Sequence, residues 1–177
     1  ISQNKCLGFS EVLDNFTSFY DYHGANTMFN FDKELCSIKN ENGQLSFYVQ
    51  NKGIYNNIFG STVDSYVEYK INPEPTKDKV FNNIEYRADC FDMDDDGTLL
   101  DYRTFNTVRI NNEYQDSGNH TLEVDDNVFK KFRVWRAPLP RHYGTLDRIR
   151  NTWATLRLTF TPKVDENVKM LIHDVLV

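Results

Sequence analysis

Helix-like periodicity is nearly absent from this chain, and so are most of the residues that carry chemistry. No window approaches the 18 consecutive apolar residues of a membrane-spanning helix. Cysteine is limited to Cys6, Cys36 and Cys90, an odd number without CxxC spacing, which argues against both a disulfide framework and a zinc site. These are expected to be buried or incidental thiols. The histidines, His23, His120, His142 and His173, form no HxxxH or HExxH pair that would seat a metal on a helix face. Neither residue type builds a catalytic constellation.

What the chain does have is aromatic, β-favouring sequence. Aromatics make up 14% of the 177 residues, with 13 Phe and 10 Tyr, a bias toward pleated structure. The clearest strand is 151–161, NTWATLRLTFT, where Thr152, Ala154, Leu156, Leu158 and Phe160 alternate with Trp153, Thr155, Arg157, Thr159 and Thr161. It is about twice the length of an ordinary strand and is expected to be central. Val63, Val67, Tyr69 and Ile71 define a further strand over 62–72, and Ile84, Tyr86, Ala88 and Cys90 another. Strand character also marks 101–111, the final run VKMLIHDVLV, and 128–136, where Phe132 and Val134 are set opposite Arg133 and Trp135. Asn42-Gly43 between two β-rich runs is a hairpin signal. Turns are also expected at 51–53 and 165–167, and in 9–22 the broken alternation predicts a bulge or burial on both faces. Only the segments after Thr76 and near Leu146 look helical.

These signals predict an all-β fold, an antiparallel β-sandwich or barrel-like domain of about nine to ten strands with one or two short helical turns. Residues 1–8 are expected to be an arm or linker remnant, and 9–177 a single all-β domain. The Ile start and the apolar end point to a fragment of a longer chain.

Asp92, Asp94 and Asp96, followed by Gly97, match the opening of a calcium loop, in which alternate carboxylates converge on a hard cation. The twelfth position should be a bidentate Glu and is Arg103, so calcium competes with a solvated acidic hairpin tip; no other cofactor is expected. Paired carboxylates also raise a glycosidase reading, weakened because acidic loop tips are far commoner than catalytic pairs. Trp135, Trp153, Tyr48 and Tyr55 raise a carbohydrate-binding module in which aromatic faces stack on a sugar, although such residues serve equally in cores and at subunit contacts.

Charge is unevenly spread. Twelve acids face three bases between residues 85 and 126, whereas eight bases face one acid between 130 and 157. Such a split either steers one copy onto the next or neutralises itself within one domain. Arg133, Trp135, Arg136, Arg141, Trp153 and Arg157 are therefore candidate interface residues. A net charge of −6 and the lack of a recognised binding motif speak against nucleic acid.

The stretches Phe16-Thr17-Ser18-Phe19-Tyr20-Asp21-Tyr22, Tyr55-Asn56-Asn57-Ile58-Phe59-Gly60 and 67–86 (VEYKINPEPTKDKVFNNIEY) resemble a module of large tail proteins in tailed phages. With FRVWRAPLPR (132–141), RIRNTWATLRLTF (148–160) and the ending KMLIHDVLV, the chain resembles the tail muzzle proteins of crAss-like gut phages over most of its length from Phe9 onward. His23-Gly24 and the acidic insert 92–96 depart from the pattern. The resemblance implies a non-enzymatic virion component made in the bacterial host cytoplasm and built into a ring at the distal end of a short tail. Other copies of the parent protein and neighbouring tail proteins are its implied partners.

Overall fold

A computed structural model describes residues 6–20, 22, 24–50, 52–72, 74–164 and 166–177. Asp21, His23, Asn51, Pro73, Asp165 and residues 1–5 lie outside it, and with them parts of the expected arm, of the aromatic stretch 16–22 and of the turns at 51–53 and 165–167. The described residues form eighteen strands and no helix, and all the strand ladders are antiparallel. The fold is all-β as expected, with more and shorter strands than the sequence pattern counts. Two compact units make it up, Ile1–Thr62 and Val63–Val177, whereas the sequence expectation groups 9–177 together.

The first unit opens with a ribbon of β1 (Cys6–Ser10) and β2 (Asn15–Tyr20). Cys6, Leu7 and Gly8 are therefore strand and not arm. The pairing shifts between Gly8, opposite Ser18, and Phe9, opposite Phe16, so Thr17 is the extra residue of the bulge and its Oγ1 donates to Gly8 O at 3.3 Å. This bulge is the reason the aromatic run fails to alternate. Next come β3 (Ala25–Phe31), β4 (Glu34–Glu41) and β5 (Gln44–Val49), a three-stranded sheet with β4 in the middle. Glu41 pairs with Gln44 around Asn42-Gly43, both at positive φ (54° and 90°). That is the two-residue hairpin that an Asn-Gly pair favours. A small ribbon of β6 (Asn57–Ile58) and β7 (Ser61–Thr62) completes the unit.

The second unit carries the large core. One of its sheets runs β13 (His120–Thr121), β12 (Thr107–Asn111), β17 (Ala154–Phe160), β8 (Ser65–Ile71). The other runs β11 (Thr98–Leu99), β10 (Asn83–Asp92), β15 (Val134–Pro138), β14 (Phe129–Lys131), with β18 (Val168–Leu176) also on β10. A short pair, β9 (Lys79–Val80) and β16 (Arg150–Asn151), joins two loops. Ile84, Tyr86, Ala88 and Cys90 of one sheet and Ala154, Leu156, Leu158 and Phe160 of the other belong to a single buried cluster. Two sheets sharing one core make a sandwich.

Strand β17 is interior, flanked by β12 and β8, and its inward set is fully buried as the alternation predicts. It is shorter than 151–161 because the chain bends at Thr152, and Asn151 pairs instead with Lys79. Four other expectations change. The expected strand at 101–111 is reduced to β12. The segment after Thr76 forms a turn, Lys77 N donating to Glu74 O at 3.2 Å, and then enters β9. Near Leu146 the chain closes a loop, since Leu146 has φ of 60° and Gln115 fastens the strands around it by donating to Arg148 O and accepting from Arg150 N.

The fourth concerns 128–136. It is a hairpin, β14 to β15, turning at Phe132 and Arg133 with φ of 52° and 64°. A turn there ends the period, so Phe132 is 88% exposed while Trp135 is fully buried, the reverse of the expected faces.

Leu156 has no exposed surface and sits in the middle of the core sheet. Leu156→Asp places an unpaired charge there and is expected to cost more than about 4 kcal/mol, unfolding or aggregating the chain. Arg157→Ala, on the outer face, where the guanidinium pairs with Glu68 and lies over the Tyr66 ring at the surface, is expected to change stability by less than about 1 kcal/mol. Circular dichroism and thermal melting check both, and a wild-type melt for Leu156→Asp would overturn the assignment of this face.

Candidate functional site

The structure distributes the sequence candidates differently from the pattern that drew attention to them. Trp135 leaves the interface set: it is buried between sheet residues, and its Nε1 donates to Ala88 O at 3.1 Å. It cannot present a stacking face to a sugar either. Tyr48 is likewise occupied, its ring 5.1 Å from that of Phe59 and its hydroxyl donating to Glu41. Trp153 is half-buried with Lys70 Nζ above its ring at 5.4 Å. Trp135 is therefore not part of any exposed aromatic platform.

The basic candidates are engaged within the chain. Arg133 Nη2 donates to Asp89 Oδ2 at 2.7 Å, Arg136 Nε to Glu85 Oε1 at 2.8 Å, and Lys130 Nζ to Asp101 Oδ1 at 2.8 Å. Glu85 and Arg136 are direct cross-strand partners on β10 and β15. Acidic and basic stretches thus meet inside one subunit. The idea that they meet between copies is withdrawn, because the antiparallel pairing of β10 with β15 brings the two runs side by side before any partner is present. Arg157 stacks over Tyr66 and bonds Glu68, while Arg141 Nη1 donates to Leu146 O at 3.3 Å.

The buried ionisable groups are structural. Asp89 is 6% exposed, and its Oδ2 accepts from both Arg133 and His173. Burial alone would raise its carboxyl, and these two hydrogen bonds outweigh burial and hold it below the ordinary carboxylate value. Burial pushes the Cys90 thiol up to about 11, which makes it inert as a nucleophile at neutral pH. Burial also raises the Tyr86 phenol, whose oxygen lies 2.7 Å from Thr104 Oγ1.

At the acidic tip, Asp92 Oδ1 accepts from the Asp94 backbone and Asp94 Oδ1 from Asn167 Nδ2. Asp96 and Gly97 take positive φ and turn the chain into β11. Among the described residues no group of three or more His, Cys, Asp or Glu side chains is placed to hold a metal. The Asx-type turn accounts for the carboxylate spacing at Asp92 and Asp94.

The feature that sequence reasoning missed lies in the first unit. Residues directly opposed on β3, β4 and β5 share a face, so the register places Phe29, Phe31, Ile38, Leu45, Phe47 and Val49 together on one side. Phe31, Leu45, Phe47 and Val49 are 66, 68, 57 and 39% exposed. The opposite side is covered by the loop before β7: Phe59 lies against Tyr48 and Tyr22, Lys39 Nζ sits 4.9 Å over its ring, and Gln50 Nε2 donates to the buried Ser37. One face of this sheet is closed and the other is an open apolar surface.

The second unit is a β-sandwich whose described charged candidates pair within the chain, and the first unit is a set of small antiparallel sheets with one open apolar face. Residues 53–142 match the model of the Crassvirus muzzle protein C-terminal domain, and residues 1–41 match that of the Crassvirus muzzle protein. Over 160 residues, 88% of this chain, it is 38% identical to the muzzle protein of Bacteroides phage crAss001. The chain belongs to the Crassvirus muzzle protein family, as its motifs imply. It spans about a tenth, 11%, of the length of that relative.

Two outcomes test these assignments. Asp89 contributes stability that is present above the unfolded carboxyl value of about 3.9 and is lost as pH falls through its lower folded value. Wild type is therefore expected to lose stability more steeply below about pH 4 than Asp89→Asn, read from urea titrations at several acid pH values; equal slopes would remove Asp89 from the acid response. Separately, the melting temperature is expected to be the same in chelator and in millimolar calcium, since an ion binding only the folded state must raise it. A calcium-dependent rise that Asp94→Asn abolishes would restore the metal reading.

Proposed function

We propose that this chain is a non-enzymatic structural domain of a phage tail, part of a much longer muzzle polypeptide that makes contacts with copies of itself and with neighbouring tail proteins in a ring at the tail end. The observation that carries the reading is the 38% identity to a muzzle protein across 88% of this chain. The chemistry of the domain supports it. The buried carboxylate Asp89 is tied to Arg133 and His173, and the buried thiol Cys90 is held protonated, so both serve the fold. Surface ion pairs such as Glu85–Arg136 are worth at most about 1 kcal/mol each, so apolar surface is the source of affinity in such assembly. The domain acts in the virion, after synthesis in the bacterial host.

Antibodies raised against this chain are expected to label the distal end of the tail in immunogold micrographs of purified particles, and particles made without the parent protein are expected to lack the density there. Label confined to the capsid, or a parent protein absent from purified particles, would overturn the reading.

A further inference from the structure

The first unit has too little interior to close on itself. Among its described residues only Tyr22 and Cys36 are buried hydrophobics, against nineteen in the core cluster of the second unit. A sheet with an apolar face is stable only when another layer covers that face, and contiguous exposed apolar surface marks a contact. On β3, β4 and β5 that face carries Phe29, Phe31, Ile38, Leu45, Phe47 and Val49 around the buried Cys36, which lies between Phe29 and Val49, with Thr27 and Asn40 also on it and the Phe29 and Phe47 rings 6.0 Å apart across the middle strand. No charged side chain interrupts these six. Glu34, on the same face, stands at its end and is paired with Lys52.

The family comparison indicates the occupant. Residues 1–41, which contain β1 to β4, match the muzzle protein model, and the C-terminal domain model begins only at residue 53. The later residues match a domain named C-terminal, and this chain spans about a tenth of the related muzzle protein, so the greater part of such a polypeptide lies N-terminal to that domain. We propose that the open face of β3–β5 is the inner face of a sandwich whose other layer is supplied by the stretch of the same parent polypeptide N-terminal to Ile1. That layer is apolar and aliphatic or aromatic on its facing side, because charged groups set against these six side chains would be desolvated without partners. The inference rests on membership of a muzzle polypeptide and not on where that polypeptide sits in the virion.

The test uses the full parent polypeptide with p-benzoyl-phenylalanine in place of Phe47, irradiated in assemblies mixed from light and heavy nitrogen. The expected product is a crosslink to a peptide N-terminal to Ile1 with both halves in the same isotope state. A mixed-isotope product, a crosslink to 63–177 or to another protein, or no more crosslinking than from the exposed position Tyr114 would overturn it. A second arm uses the 177-residue chain with Phe31→Ser, Leu45→Ser and Phe47→Ser combined. Loss of hydrophobic-dye fluorescence without loss of melting temperature is expected, because the face is uncovered in this chain. A wild-type chain that dimerises in sedimentation, with the dimer abolished by the triple variant, would make a second copy the occupant and overturn the proposal. If antibodies fail to find the protein in tails while the internal crosslink forms, the tail reading fails and this one stands.

Discussion

A pleated sheet with apolar side chains on one face must have something laid against that face, and both units of this chain are consequences of how that demand is met. In the second unit the inward residues of β10 and β15 and those of β12 and β17 bury one another, so Trp135, Ile84, Leu156 and Leu158 reach complete burial with no other layer. The first unit meets the demand on one side only. Phe59 and its neighbours close the Tyr48 face, and the Phe47 face is left without a layer.

Charge is subordinate to this arrangement. Once β10 and β15 pair antiparallel, Glu85 lies opposite Arg136 and Asp89 comes within reach of Arg133. A similar row crosses the outer face of the other sheet, where Glu68 bonds Arg157, and Arg109, directly opposite Arg157, is paired with Asp116. Two like charges opposed on neighbouring strands are unfavourable, and each here has an acid on its far side. Charges that are far apart along the chain are thus paired across neighbouring strands.

Much of this was legible in the sequence because period-2 alternation survives folding wherever a strand has one buried side. Ala154, Leu156, Leu158 and Phe160 are buried as read, and so are Ile84, Tyr86, Ala88 and Cys90. Alternation fails at places where backbone geometry changes without a residue that announces it. Phe132 and Arg133 take positive φ at a turn where Asn and Gly are the usual residues, so the hairpin was invisible and Trp135 was assigned to the wrong face. The bend at Thr152 follows a run with no Gly or Pro, and the pairing of Asn151 with Lys79 that accompanies it is a long-range contact no local pattern encodes.

The interaction surface was illegible for a different reason. Leu45, Phe47 and Val49 alternate along β5 as the inward residues do along β17. What separates them is whether the complementary layer belongs to the described chain. For β17 it does, on β10 and β15; in the first unit Leu45, Phe47 and Val49 of β5 are exposed. An apolar period thus states that a face needs a partner and is silent on which polypeptide supplies it.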